Sequence, residues 1–177
     1  MAIKWTDATP ALQLAPLPQD PAASQRRPDL VDVWIAPEVD CQVMDHLRAQ
    51  GVEQGGLLVG QAFVDARSNA VAHVRVLSSA AAEDAVGTAF SLRMGTGVWQ
   101  SAQALLAPGE LIVGWYHSHP GLTAFFSDTD RQTQRAFFNH PYSVGWVIDP
   151  VNGDEALFLG GDCVIVQRGP DGLGARR

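Results

Sequence analysis

The apolar run Leu111-Ile112-Val113-Gly114-Trp115-Tyr116 passes without a break into His117-Ser118-His119-Pro120, and no other stretch constrains the fold so tightly. Bounded by Pro108-Gly109 and by Pro120, it has the length and composition of a buried strand. Successive strand side chains point to opposite faces, so His117 and His119 point together while Ser118 faces away. Pro120 cannot donate to a ladder and releases the chain into the loop that follows. The fold must therefore hold a strand whose end presents two imidazoles on one face.

Strands and helices alternate around it. Val31 to Ile35 reads as a short strand. Pro37 then suits a first helical position, and Val39, Val43, Met44 and Leu47 recur at helical spacing until Gly51. Gly55 to Val64 and Ala70 to Leu77 read as strands joined by a turn around Arg67-Ser68-Asn69. The small, polar stretch Ser78 to Gly87 reads as a loop, followed by a short strand at Thr88 to Leu92. A helix is expected over Gly97 to Leu106 and another over Ser127 to Asn139, ended by Pro141. Ser143 to Ile148 and Glu155 to Leu159 form a hairpin over a turn containing Asn152-Gly153, and Cys163 to Gln167 is a last strand. The expectation is one α/β domain over residues 30–168, a mixed sheet flanked by helices.

Residues 1–29 read as an N-terminal arm, since they hold five of the eleven prolines and six alanines without sustained periodicity. The segment reads as a flexible linker, with Leu12, Leu14 and Leu17 as its candidates for docking on the domain or on a partner. Residues 169–177, glycine-rich and ending in two arginines, read as a flexible tail.

With 46% hydrophobic residues in 177, the chain can bury a sizeable core, yet it has no apolar run approaching the roughly 18 residues of a membrane span. The first residues lack the basic-then-apolar pattern of a secretory signal, so a cytoplasmic location is expected. The net charge of −7, without a basic stripe, argues against nucleic acid as a partner. Cys41 and Cys163 have no C-x-x-C spacing and are expected to be reduced, mostly buried thiols and not metal ligands.

Six residues separate Pro120 from Ser127-Asp128-Thr129-Asp130, which reads as a helix start with Ser127 at the N-cap. Alone, this is an ordinary capping box, and a lone H-x-H is most often a pair of packed or surface histidines. Together they offer two imidazoles and a carboxylate, a set for a divalent metal that leaves one coordination position free. An open position separates a hydrolytic zinc site from a structural one. Glu53, in Glu53-Gln54-Gly55-Gly56-Leu57-Leu58-Val59-Gly60, supplies a carboxylate outside the set. His46, His73 and His140 lack this spacing, and Asp128 is explained by the helix dipole. Trp115 and Tyr116 read as packing, and Phe125 and Phe126 as packing or groove lining.

Glu53, His117-Ser118-His119, seven residues and then Ser127-x-x-Asp130 resemble the JAMM (MPN-plus) metalloprotease motif with every position filled. The flanking E-x-G-G-x-L-x-G and Gly114-Trp115-Tyr116 are also similar to that family, and the likeness extends over about residues 30–165. The resemblance implies a cytidine-deaminase-like JAB/MPN fold of the compact prokaryotic type. It implies one zinc ion on His117, His119 and Asp130, with water as fourth ligand. Glu53 would be the general base, and Ser127 would donate its hydroxyl to the oxyanion.

The reaction implied is cleavage after the C-terminal glycines of a ubiquitin-like protein, as a deubiquitinase-like isopeptidase or peptidase. Thr88 to Leu92 and the loop after His119 would form the channel for the glycine tail. Activating and conjugating enzymes from a shared operon are further partners of that branch. Three rivals stand beside it: a non-haem iron oxygenase, a non-catalytic zinc-binding interaction module of the same fold, and a small-peptide or cell-wall hydrolase.

Overall fold

A computed structural model describes residues 17–20, 31–88 and 92–169. β1 is Gln19–Asp20, β2 is Asp32–Ile35 and α1 is Pro37–Arg48, followed by β3 over Gly55–Asp65 and β4 over Val71–Ala81. Two short strands, β5 at Val86–Gly87 and β6 at Leu92–Arg93, precede α2 over Gly97–Ala104 and β7 over Leu111–Ser118. α3 is Asp128–Phe137, and β8 (Val144–Asp149), β9 (Asp154–Leu159) and β10 (Val164–Arg168) complete the order.

The main sheet runs β1-β3-β4-β2-β10-β9-β8-β7, and β7 also pairs with β3, so seven of its strands close into a ring. It is mixed: β7 lies antiparallel to β3 but parallel to β8, and β2 is parallel to both β4 and β10. The expectation of one mixed sheet flanked by helices holds.

Period-two alternation explains the two layers. Leu58, Tyr116 and Trp146 face the layer of α1, while their neighbours Leu57, Trp115 and Val147 face the layer of α2. α1 buries Val39, Val43 and Leu47 with at most 1% exposure, each burial contributing about 1.5–3 kcal/mol. Strands covered on both faces read as continuous apolar runs, as β7 and β8 do.

A bulge decides which layer receives the imidazoles. Leu58 pairs with Gly114 but Val59 pairs with Ile112, so Val113 is an extra residue in β7. Val113 and Tyr116 consequently both face α1, and Trp115 is turned to the other layer. A one-residue slip moves every following side chain to the opposite face. Glycine is required at 114, because a Cβ there would sit 1.9 Å from the Val144 carbonyl oxygen.

Three expectations change. The loop expected over Ser78 to Gly87 begins later, because Ser78 to Ala81 continue β4 opposite Val59 to Gly56. These residues carry no apolar alternation, and their strand state comes from backbone pairing with β3. The strand expected at Thr88 to Leu92 is instead a small hairpin of Val86–Gly87 with Leu92–Arg93, and residues 89–91 lie outside the described residues. Cys41 is exposed and only Cys163 is buried.

Within the proline-rich N-terminal segment, Gln19–Asp20 pairs in parallel with Val64–Asp65, and Leu17 packs against the α1 layer. Leu12 and Leu14 lie outside the described residues.

Candidate metal centre

The end of β7 is pinned from both sides before any metal chemistry is considered. Ser118 N–H donates to the Gln54 carbonyl at 2.9 Å, and His119 N–H donates to the Ile148 carbonyl at 2.9 Å. Ser118, which faces away from the imidazoles, also accepts the Gln54 N–H on its hydroxyl at 3.0 Å. That bond fixes the residue beside Glu53, whose own N–H donates to the Thr88 carbonyl at 2.9 Å. The serine between the histidines therefore ties Glu53 to the same strand end, a role its spacing alone did not suggest.

Asp130 reaches the site through the capping box. Ser127 donates its N–H and its hydroxyl to Asp130 Oδ2 at 2.7 and 2.6 Å, and Asp130 N–H donates to Ser127 Oγ at 3.2 Å. The cap and the ligand set are one structure.

His117, His119, Asp130 and Glu53 are all buried. His117 Nε2 lies 3.2 Å from His119 Nε2 and 3.2 Å from Asp130 Oδ1, while His119 Nε2 lies 3.5 Å from Asp130 Oδ2. The two Asp130 distances run to different carboxylate oxygens; with one donor atom taken from each residue, the three lie within 4.8 Å of one another, a cluster that can be offered to one metal ion. Glu53 Oε1 is 3.8 Å from His119 Nε2, beside the triangle and outside it. Among the described residues, His117, His119 and Asp130 form the one group of three or more potential ligands gathered this closely.

The electrostatics suit a cation. Burial opposes the charge of Asp130, but hydrogen bonds from His117, His119 and Ser127 outweigh it and hold the carboxyl well below the usual range. Burial lowers the His117 pKa, which favours the neutral imidazole that a metal requires. Burial raises the Glu53 carboxyl, with His119 opposing and Asp130 reinforcing that effect, so Glu53 holds a proton more readily than a free glutamate.

Two supporting residues escaped the sequence reading. Gln134, 0% exposed on α3, accepts the Trp115 indole N–H at 2.6 Å. The two hydrogens of its Nε2 are shared among the carbonyls of Phe138, Ser143 and Gly160, at 3.1, 3.0 and 3.3 Å. It thereby anchors the helix that carries Asp130. Asp149, at the end of β8, accepts hydrogen bonds from the loop after His119. A polar residue on an apolar strand or helix face is the only signal either gave.

The metal triangle opens into a cleft of about 360 Å³. Leu92, Met94 and Trp99 line it with Leu122, Phe125 and Phe137, and Arg93 is its one lysine or arginine among the described residues. Phe125 is exposed and its ring is 4.8 Å from His119, whereas Phe126 is buried and stacks on Phe158 at 3.9 Å. One phenylalanine of the pair lines the groove and the other packs. The remaining histidines lie elsewhere: His46 bonds the Tyr116 hydroxyl at 3.0 Å, His73 stacks on Phe63, and His140 stacks on Tyr142.

A mixed sheet thus presents two histidines and one aspartate, with a glutamate beside them, as a candidate metal-binding cluster. The family model for prokaryotic homologues of the JAB domain matches residues 38–158, and the chain belongs to that family. It is 31% identical over 125 residues to the ubiquitin carboxyl-terminal hydrolase RPN11 of Saccharomyces cerevisiae, covering 67% of this chain and 39% of that protein. The 26S proteasome regulatory subunit RPN11 of Eremothecium gossypii is 32% identical over 125 residues, covering 67% and 38%. The NAD(+) hydrolase TcpA of a Theionarchaea archaeon is 35% identical over 108 residues, covering 60% and 30%. The chain thus spans about a third of the length of these curated relatives.

Proposed function

We propose that the chain is a zinc-dependent peptidase or isopeptidase that cleaves after the C-terminal glycines of a ubiquitin-like protein, with residues 30–168 as the catalytic unit. The observation that carries this reading is the convergence of His117, His119 and Asp130, one donor atom from each within 4.8 Å of the others, with Glu53 Oε1 3.8 Å from His119 Nε2. The ubiquitin carboxyl-terminal hydrolase among the relatives supports the substrate class. The NAD(+) hydrolase name belongs to a protein of which this chain covers 30%.

His117, His119 and Asp130 would hold the ion, and Glu53 stands where it can take a proton from a water at the open position. When bound, zinc acidifies such a water and polarises the amide carbonyl. Glu53 would pass that proton to the departing amine, and its buried, raised carboxyl suits a group that must both accept and release. Ser127 donates to Asp130 in the resting structure, and rotation of its hydroxyl would free that donor for the developing oxyanion. The apolar cleft walls exclude water from the scissile bond, and an extended glycine tail lies along them by backbone pairing.

The partners proposed are a ubiquitin-like modifier and the enzymes that attach it. No described helix is long and apolar enough to cross a membrane, and we place the activity in the cytoplasm. The test is cleavage of ubiquitin, or of a Gly-Gly-ended ubiquitin-like protein, fused to a reporter amine. The zinc-loaded chain should release the amine, and chelator or Glu53→Gln should stop release. A chain that holds zinc and binds these proteins without cleaving them would instead be an interaction module.

A further inference from the structure

Asp149 is 0% exposed and forms no ion pair with any described residue, an expensive state for a carboxylate unless donors surround it. Five do. Gly121 and Thr123 donate their backbone N–H groups at 2.9 Å, one to each oxygen. Val151 and Asn152 donate backbone N–H groups to Oδ1 at 2.9 and 3.2 Å, and the Asn152 amide donates to Oδ2 at 2.7 Å. The carboxylate thus joins the turn of the β8–β9 hairpin to the loop between His119 and Ser127.

That loop is not relaxed on its own. Gly121 has φ 74° and Thr123 has φ 70°, the left-handed region that a threonine adopts only at a cost of about 1–3 kcal/mol. The two N–H groups bonded to Asp149 are those of these same two residues. Between and beyond them the loop presents Leu122 and Phe125, 38% and 44% exposed, to the cleft. His117 is held within β7 and Asp130 by its capping box, away from this loop, while His119, one residue past β7, donates its N–H to the Ile148 carbonyl and accepts the Leu122 N–H.

We propose that Asp149 is a positioning residue for substrate binding, holding the His119–Ser127 loop so that Leu122 and Phe125 form one wall of the cleft. Its kinetic consequence rests on the hydrolase reading; its hold on the loop does not. Asparagine at 149 keeps the size, but it offers one oxygen where two are used and turns an NH₂ group toward N–H donors. The wall loosens while the ligand triangle stays.

The experiment pairs amide hydrogen exchange with kinetics on zinc-loaded wild type and Asp149→Asn, using ubiquitin that carries a fluorogenic amine on its C-terminal glycine. In the wild type, Gly121 and Thr123 should be protected to the same degree as Val151 and Asn152. In the variant those amides should exchange faster, with zinc content unchanged. KM should rise about tenfold with kcat within about threefold. A merely structural residue would lower the active fraction, so kcat would fall with melting temperature while KM stayed constant; that result overturns the proposal. Wild-type Gly121 and Thr123 exchanging like unstructured amides would overturn it too, even if the variant did not fold. Absence of wild-type turnover would sink the hydrolase reading instead, and the exchange data would still decide whether Asp149 holds the loop.

Discussion

The indole of Trp115 lies flat against the imidazole of His117, with ring centroids 4.5 Å apart and planes 7° from parallel. The two are neighbours on one face of β7 because the bulge at Val113–Gly114 turns both away from α1. Gln134 fixes the indole by accepting its Nε1–H, so a helix-borne amide orients a strand-borne imidazole through an aromatic ring.

Removing Gln134 should therefore reach the metal. Gln134→Leu takes away the acceptor of the Trp115 N–H and the donor to the Phe138 carbonyl, while the Ser143 and Gly160 carbonyls keep the N–H groups of Gly160 and Cys163. We expect a loss of about 2–4 kcal/mol in urea unfolding and weaker zinc binding in a competition titration. Unchanged zinc affinity would mean that the stack on His117 needs no help from α3.

Gly114→Ala should be costly despite adding one methyl group. Its Cβ would meet the Val144 carbonyl at 1.9 Å, so β7 and β8 must part. A loss of at least about 1–3 kcal/mol is expected. Wild-type stability in the variant would show that the bulge accommodates a side chain.

Ser118→Ala deletes the acceptor of the Gln54 N–H while leaving the zinc ligands untouched. Glu53 should drift, giving a fall in kcat of about 10–100-fold with zinc retained. Equal loss of zinc would place Ser118 in the support of the metal and not of the base.

The Glu53 carboxyl should titrate above about 4.3, the value of a free glutamate, in the metal-free protein. Burial favours its protonated form; a nearby cation favours the charged form, so zinc should move the titration to lower pH. Carbon-detected NMR of the side-chain carboxyl reads both. A metal-free midpoint at or below the free value contradicts this environment.

What the sequence revealed follows from how local each signal was. His117 and His119 share a strand face, and Ser127 with Asp130 spans one helical turn, so their geometry was written in spacing. Glu53 lies outside regular structure and reached the ligands through the family resemblance alone. The paired state of Ser78 to Ala81 depends on β3, and no periodicity announced it. Gly114 and Val113 were visible as residues but not as a bulge, because the missing information was the register against β3. Gln134 and Asp149 draw partners from backbone up to 28 positions away, which no local pattern encodes.

The proposed activity requires a four-coordinate zinc held by His117, His119 and Asp130. X-ray absorption on the protein loaded with one equivalent of zinc is the most direct test. It should show four nitrogen or oxygen neighbours at about 2.0–2.1 Å, two of them imidazoles, and His119→Ala should lose the ion. Failure of the wild type to bind one equivalent, a sulfur neighbour from Cys41 or Cys163, or stoichiometric zinc retained by His119→Ala would contradict it.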